Sequence, residues 1–219
     1  MEKSIFVGSI FFSCFILLQL PGSIAAPTDG FTAQDFTFDI QKPYDKSVDQ
    51  RYTFINDVHT MWVFSNDKPH TPSSNTKPRT EMRFRAKGGD YTSGVWQFEG
   101  DMYVPSGSTG VAAMQVMGGA NGVSAALQIR VYDGVLKEYG SSPATSFGPA
   151  NIYDRWIHLN VIHDADNKHI QIYLDGKLSF DASNPGTGSH YFKCGVYTQN
   201  NSSQRMESRW RNIKIWKRN

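Results

Sequence analysis

The chain has 219 residues, of which 22 are Lys or Arg and 20 are Asp or Glu, leaving a formal net charge of +2. That balance, with basic residues interleaved among acidic ones, excludes the basic footprint of a nucleic-acid-binding protein. Of the two cysteines, Cys14 lies in an apolar leader, so the rest of the chain keeps only Cys194 and cannot close an internal disulfide.

In chain order, Met1-Glu2-Lys3-Ser4 precedes a largely apolar run from Ile5 to Leu20, followed at once by Pro21, Gly22 and the small residues Ser23 and Ala25. This is the pattern of a secretory signal peptide over residues 1–25, cleaved before Ala26. A signal anchor is the lesser reading, because the apolar run is short and the helix breakers follow it directly. Residues 26–219 then form a single domain that enters the secretory pathway, and about 190 residues suffice for a sizeable core. No later run is apolar enough to span a bilayer, so membrane association would be peripheral at most.

Asp35 to Gln41 alternates apolar and polar residues at period two, as a half-buried strand does. Arg51–Ile55 and His59–Phe64 read as two more strands across an Asn56-Asp57 turn. Ser65 to Pro78 holds three prolines among Ser, Thr, Asn and Lys, which makes it a loop long enough to be functional. In Arg79 to Ala86, Thr80, Met82, Phe84 and Ala86 share one face while Arg79, Glu81, Arg83 and Arg85 share the other. Such a face either meets bulk water or lines a groove for an anion, since guanidinium forks match carboxylates.

Further strands follow over Gly94–Val104 and Val111–Met117, the latter with Ala113, Gln115 and Met117 on one face. Val123–Tyr132 and Val135–Tyr139 flank Asp133-Gly134, and Ile170–Leu174 and Leu178–Phe180 flank Asp175-Gly176, two strong hairpin signals. Arg155–His163 and Arg209–Trp216 are extended as well. Tyr191 to Asn200 alternates Phe192, Cys194, Val196 and Thr198 on a core face with Tyr191, Lys193, Tyr197 and Gln199 on a polar one. Cys194 is then a small buried hydrophobe and not a nucleophile.

About a dozen short strands without a convincing amphipathic helix predict an all-β jelly-roll sandwich of two antiparallel sheets, one curved to leave an open concave groove. Trp62, Trp96, Tyr103, Tyr153 and Trp156 are expected in the sandwich core and not as sugar-stacking platforms. The odd spacing of His158 and His163 puts them on opposite faces of a strand, so neither a metal site nor a nucleotide motif is legible and no cofactor is implied. Overlapping sequons at Asn200 and Asn201 are candidate glycosylation sites on a solvent-facing turn.

Arg79-Thr-Glu-Met-Arg83, Gln115-Val-Met117 and Tyr191-Phe-Lys-Cys-Gly-Val-Tyr-Thr-Gln199 resemble, in order and spacing, the three signature strands of the alginate-lyase-like jelly-roll family. The longer pattern, through Asn151-Ile-Tyr-Asp-Arg-Trp156 to Asn200-Asn-Ser-Ser203, looks like the plant citrate-binding branch of that family and, more distantly, like the glucuronan lyases. The resemblance implies that Arg79, Arg83 and Gln115 bind or neutralise a carboxylate, with Lys193 beside them, and that Tyr197 moves protons in a lyase. It also places the family's histidine at Met117, and a thioether carries no proton. His59 and His190 are candidate substitutes, although scattered histidines are more often structural. Two functions stand: binding of citrate or a similar polycarboxylate by Arg79, Arg83, Gln115, Lys193 and Tyr197, or β-elimination on an acidic polysaccharide such as glucuronan or alginate. A structural lectin without acid specificity is a blander third. The resemblance further implies a vacuolar destination and a role in citrate transport or storage; the cell wall is the alternative.

Overall fold

The computed structural model describes residues 27–118, 125–139, 144–183 and 186–219. The signal segment expected over residues 1–25 lies outside these, as does the start of the strand expected from Val123. In chain order the strands are β1 (Phe31–Gln34), β2 (Phe36–Gln41), β3 (Tyr52–Ile55), β4 (Val58–Phe64) and β5 (Arg79–Ala86). They continue as β6 (Val95–Tyr103), β7 (Val111–Met117), β8 (Ala125–Tyr132), β9 (Val135–Tyr139) and β10 (Thr145–Phe147). The last are β11 (Trp156–Asp164), β12 (His169–Leu174), β13 (Lys177–Ser183), β14 (Tyr191–Thr198) and β15 (Arg205–Arg218). The helical content among the described residues is one 3-10 turn, Val48–Gln50.

These strands form two antiparallel sheets. One has eight strands in the order β13-β12-β11-β6-β15-β4-β3, with β1 also paired to β15. The other has seven, ordered β10-β9-β8-β7-β14-β5-β2. The hairpin turns behave as their residues dictate: φ is positive at Asn56 and Asp57, at Asp133 and Gly134, and at Asp175 and Gly176, the twist that two-residue turns need to match right-twisted strands. Between the sheets, the Phe98 ring meets those of Phe84, Phe192 and Trp210 at 5.7, 6.0 and 5.7 Å. All four are essentially inaccessible, and each such aromatic contributes roughly 1.5–3 kcal/mol of burial. Cys194 sits in this core, where burial pushes its thiol well above the usual range; a thiol so held is not a nucleophile.

Two buried hydroxyls tie the layers together beside the polar strands. Thr80 Oγ1 on β5 donates to the Trp62 carbonyl on β4 at 2.9 Å, and Ser208 Oγ on β15 donates to the Gly195 carbonyl on β14 at 2.8 Å. At Gly195 φ is 141°, and a Cβ there would lie 2.4 Å from the Thr80 carbonyl oxygen and 2.9 Å from Met61 Sδ. Only glycine permits β5 and β14 to close at this point.

Two expectations fail. Ala113 does not share the face of Gln115: the β7–β8 register slips between Ala112 and Met114, so Ala113 and Met114 both turn into the core, as an extra residue in one strand allows. Trp62, Tyr103 and Trp156 are not core residues. They lie half-buried on the outside of the eight-stranded sheet beneath Arg205, Arg209 and Arg211 at 5.9, 5.0 and 4.2 Å, where alternation in β4, β6 and β11 points them away from Phe98. Trp96 does lie in the core, and Tyr153 packs against it.

Candidate functional site

The polar face of the seven-stranded sheet is organised by register. Asp39 of β2 stands opposite Arg83 of β5, Arg83 opposite Lys193 of β14, Lys193 opposite Gln115 of β7, and Gln115 opposite Gln128 of β8. Tyr197 faces Arg79 two same-face positions further along, past the Gly195–Glu81 pair. Side chains opposite each other on one face of a sheet stand close enough to interact, so residues far apart in the chain become one surface.

On that surface Glu81 is the hub. Its side chain is 1% exposed. Gln115 Nε2 donates to its Oε1, while Lys193 Nζ and Arg79 Nη1 each approach its Oε2 at 3.4 Å. Lys193 also donates to Gln41 Oε1 at 2.6 Å, and Gln128 Nε2 donates to Gln115 Oε1 at 2.7 Å. Burial lowers the Lys193 pKa, Arg79 and Arg83 push in the same direction, and Glu81 opposes them; the carboxylate is what keeps an ammonium tolerable there.

The two arginines play different parts. The Arg79 guanidinium stacks 3.9 Å over the Tyr197 ring; Nη1 is its one bonded nitrogen among the described residues, and its Nε is buried without a partner. Arg83 instead stacks 3.9 Å over Tyr191 and spends its fork on Asp90 at 2.6 Å and on the Phe84 carbonyl at 3.2 Å. Arg83 therefore shares the polar face of Gln115, Lys193 and Tyr197, but its charge is turned away from the cavity and it acts through Tyr191.

The long loop completes the site. Residues 65–78 cross from β4 in one sheet to β5 in the other, and Tyr44 N bonds the Pro69 carbonyl at 3.0 Å. Its His70, Thr71, Ser74 and Thr76, with Arg79, Gln115, Met117, Lys193 and Tyr197 among the sheet residues, line a cavity of about 310 Å³. The Tyr197 hydroxyl has no hydrogen-bond partner among the described residues. The cavity thus presents cations, amides and hydroxyls around one buried carboxylate: Arg79 and Lys193 against Glu81 leave one net positive charge, with donors unspent at Arg79 and Tyr197.

Neither substitute histidine reaches this cavity. His59 is on β4 in the other sheet, stacked 4.3 Å from Phe54 and bonded through Nδ1 to the Tyr52 hydroxyl at 2.9 Å; burial holds its pKa below the ordinary imidazole value. His190 is 2% exposed, bonds the Met117 carbonyl at 2.9 Å and packs 4.6 Å from His163. Met117 does line the cavity where the resemblance calls for histidine. Asn200 and Asn201 sit on an exposed turn after β14, where Lys77 of the loop donates to Asn200 Oδ1. Gln199 lines a separate, more open cavity of about 680 Å³ beside that turn and not the one that holds Lys193. Among the described residues no group of three His, Cys, Asp or Glu is placed to hold a metal ion.

The sequence marked the 65–78 loop as functional but pointed neither to His70 within it nor to Glu81 as the hub. The only sequence signal for either was the face alternation around Glu81 and the length of the proline-rich loop.

Comparisons with known proteins bear on the family and the fold. Residues 36–217 match the alginate lyase family model. A citrate-binding protein of Hevea brasiliensis is 48% identical over 197 residues, spanning 88% of this chain and 80% of that protein. Among solved structures, the alginate lyase AlgAT5 of polysaccharide lyase family 7 superposes with a TM-score of 0.64 at 16% identity, covering 88% of this chain and 98% of the other. The family 7 alginate lyase AlyA1 of Zobellia galactanivorans does so with a TM-score of 0.60 at 13% identity, over 86% and 95%.

Proposed function

Since the chain belongs to the alginate lyase family, we propose that it has kept that fold's carboxylate-recognising surface as a binding site for citrate or a similar small polycarboxylate. One observation carries the reading: the cavity joins the under-bonded guanidinium of Arg79 and the unpartnered Tyr197 hydroxyl to Lys193, while the position that the resemblance gives to the family's histidine is Met117. Charge-assisted hydrogen bonds from Arg79 and Lys193 would each hold a carboxylate, and Gln115, Thr71 and Ser74 would orient the rest. A cavity of about 310 Å³ is of the size that small ligands occupy. The likeness to a citrate-binding protein at 48% identity supports the same ligand class.

In this reading the leader over residues 1–25 directs the protein into the secretory pathway, Asn200 or Asn201 carries a glycan, and the vacuole is where citrate is bound, stored or handed on.

A second reading, β-elimination on an acidic polysaccharide, is favoured by the family and by Tyr197. Elimination needs the uronate carboxylate neutralised, the adjacent proton removed and the leaving oxygen protonated. Arg79 and Gln115 could do the first, and Tyr197 would have to do both transfers. One preparation of the mature protein separates the two readings, titrated with citrate by calorimetry and assayed on glucuronan and alginate for the absorbance of unsaturated uronate products. Saturable citrate binding without absorbance supports the binding reading; a clear rise in absorbance overturns it.

A further inference from the structure

His70 sits on the loop wall of the cavity, across from the sheet residues. Its Nδ1 lies 3.0 Å from the Lys42 carbonyl oxygen. A carbonyl only accepts, so Nδ1 carries the proton and the neutral ring keeps its lone pair on Nε2. A backbone carbonyl that fixes the tautomer and orientation of an imidazole leaves the other nitrogen presented as an acceptor. Nε2 has no partner among the described residues.

Most other side-chain acceptors at the cavity already hold a donor. Gln41 Oε1 takes the Lys193 ammonium, both Glu81 oxygens are bonded, and Gln115 Oε1 takes Gln128. Ser74 and Thr76 bond each other through their hydroxyls at 2.7 Å. The tyrosine and Thr71 hydroxyls can donate to a carboxylate as readily as accept. In its neutral form His70 is, beside the weak Met117 thioether, the cavity side chain whose acceptor atom cannot also donate and holds no donor among the described residues.

We propose that His70 Nε2 accepts a hydrogen bond from a hydroxyl group of the ligand, so that the cavity selects hydroxy-polycarboxylates over polycarboxylates that lack the hydroxyl. This rests on the reading of the cavity as a polycarboxylate site. Arg79 and Lys193 hold carboxylates without regard to what else the ligand carries, and His70 adds the discrimination. A site that bonds a hydroxyl disfavours the analogue without it, because the half-buried His70 is left unpaired beneath the bound ligand.

The test compares citrate with tricarballylate, the same tricarboxylate without the hydroxyl, by calorimetry at about pH 8, above the ordinary imidazole range. Wild-type protein is expected to prefer citrate by about tenfold. His70→Ala should bring the ratio close to one, chiefly by weakening citrate. His70→Gln, whose amide oxygen can accept, should recover part of the preference; a purely structural role for His70 would weaken both ligands together and leave the ratio unchanged. Equal affinities in the wild type, or a preference that survives in His70→Ala, overturn the role of His70 while leaving the polycarboxylate site standing. No binding of either ligand to folded wild-type protein overturns the cavity reading and this inference with it.

Discussion

Replacing Lys193 with Met keeps an apolar stem of similar length and strands the carboxylate it faces. Lys193 and Glu81 are 2% and 1% exposed and 3.4 Å apart, so little solvent screens the carboxylate once the ammonium is gone. Removing one member of a buried ion pair costs about 3–5 kcal/mol. Glu81 keeps Gln115 and Arg79 as partners, which puts the expected loss at the low end, about 3 kcal/mol. Adding Glu81→Gln to Lys193→Met removes the uncompensated charge and should restore most of that stability. It should not restore citrate binding, because the cation is still gone. Urea denaturation of wild type, both single variants and the double variant gives the coupling, and calorimetry on the same four proteins gives the binding. A Lys193→Met protein as stable as wild type, or a double variant no more stable than Lys193→Met, would refute the claim that this pair holds the site together.

Three further outcomes are expected. Arg79→Ala should weaken citrate by about ten- to a hundredfold, the equivalent of about 1.5–3 kcal/mol, whereas Arg83→Ala, which loses the Asp90 bond and the Tyr191 stack, should weaken it by only about threefold; equal losses by calorimetry would contradict the different orientations of the two guanidiniums. Gly195→Ala should lower stability by more than about 2 kcal/mol, since its Cβ would press on the Thr80 carbonyl oxygen at 2.4 Å, and an unchanged urea midpoint would count against that contact. Burial, with His190 next to it, holds the His163 pKa down to about 3 from 6.5. Between those values the unfolded chain binds a proton that the folded one refuses, so this contribution to stability is complete above pH 6.5 and is lost as pH falls toward 3, at roughly 1.4 kcal/mol per unit. Thermal unfolding of His163→Gln across that window should show a shallower loss than wild type, and parallel curves would contradict the assignment.

Much of the fold was legible because binary alternation reports directly on which face of a strand is buried. The Arg79–Ala86, Val111–Met117 and Val135–Tyr139 strands have the bounds that the alternation and turn residues indicated, and the three hairpin turns follow from Asn and Asp with Gly or Asp. The short β1 and β10 were not legible, since three or four residues hold too few alternations to register. Ala113 was misplaced because a slip in register leaves no trace in composition. Trp62, Tyr103 and Trp156 were misassigned because hydrophobicity does not tell a core from an outer face where arginines cover the rings. In the site, the strand motifs located Gln115, Lys193 and Tyr197 on one surface, but whether Arg79 or Arg83 aims its charge into the cavity depends on Asp90, which no pattern in the strands names. His70 was invisible for a similar reason: a loop brings it to the cavity by its path between the sheets, and a carbonyl at Lys42 sets its tautomer.

The central claim is that this cavity, and no other part of the protein, takes the polycarboxylate. A crystal structure of the mature protein grown with citrate tests it most directly. The account predicts the ligand between the loop and the seven-stranded sheet, with carboxylates on Arg79 and Lys193 and within hydrogen-bonding reach of the Tyr197 hydroxyl. An empty cavity with citrate bound at another surface would contradict it.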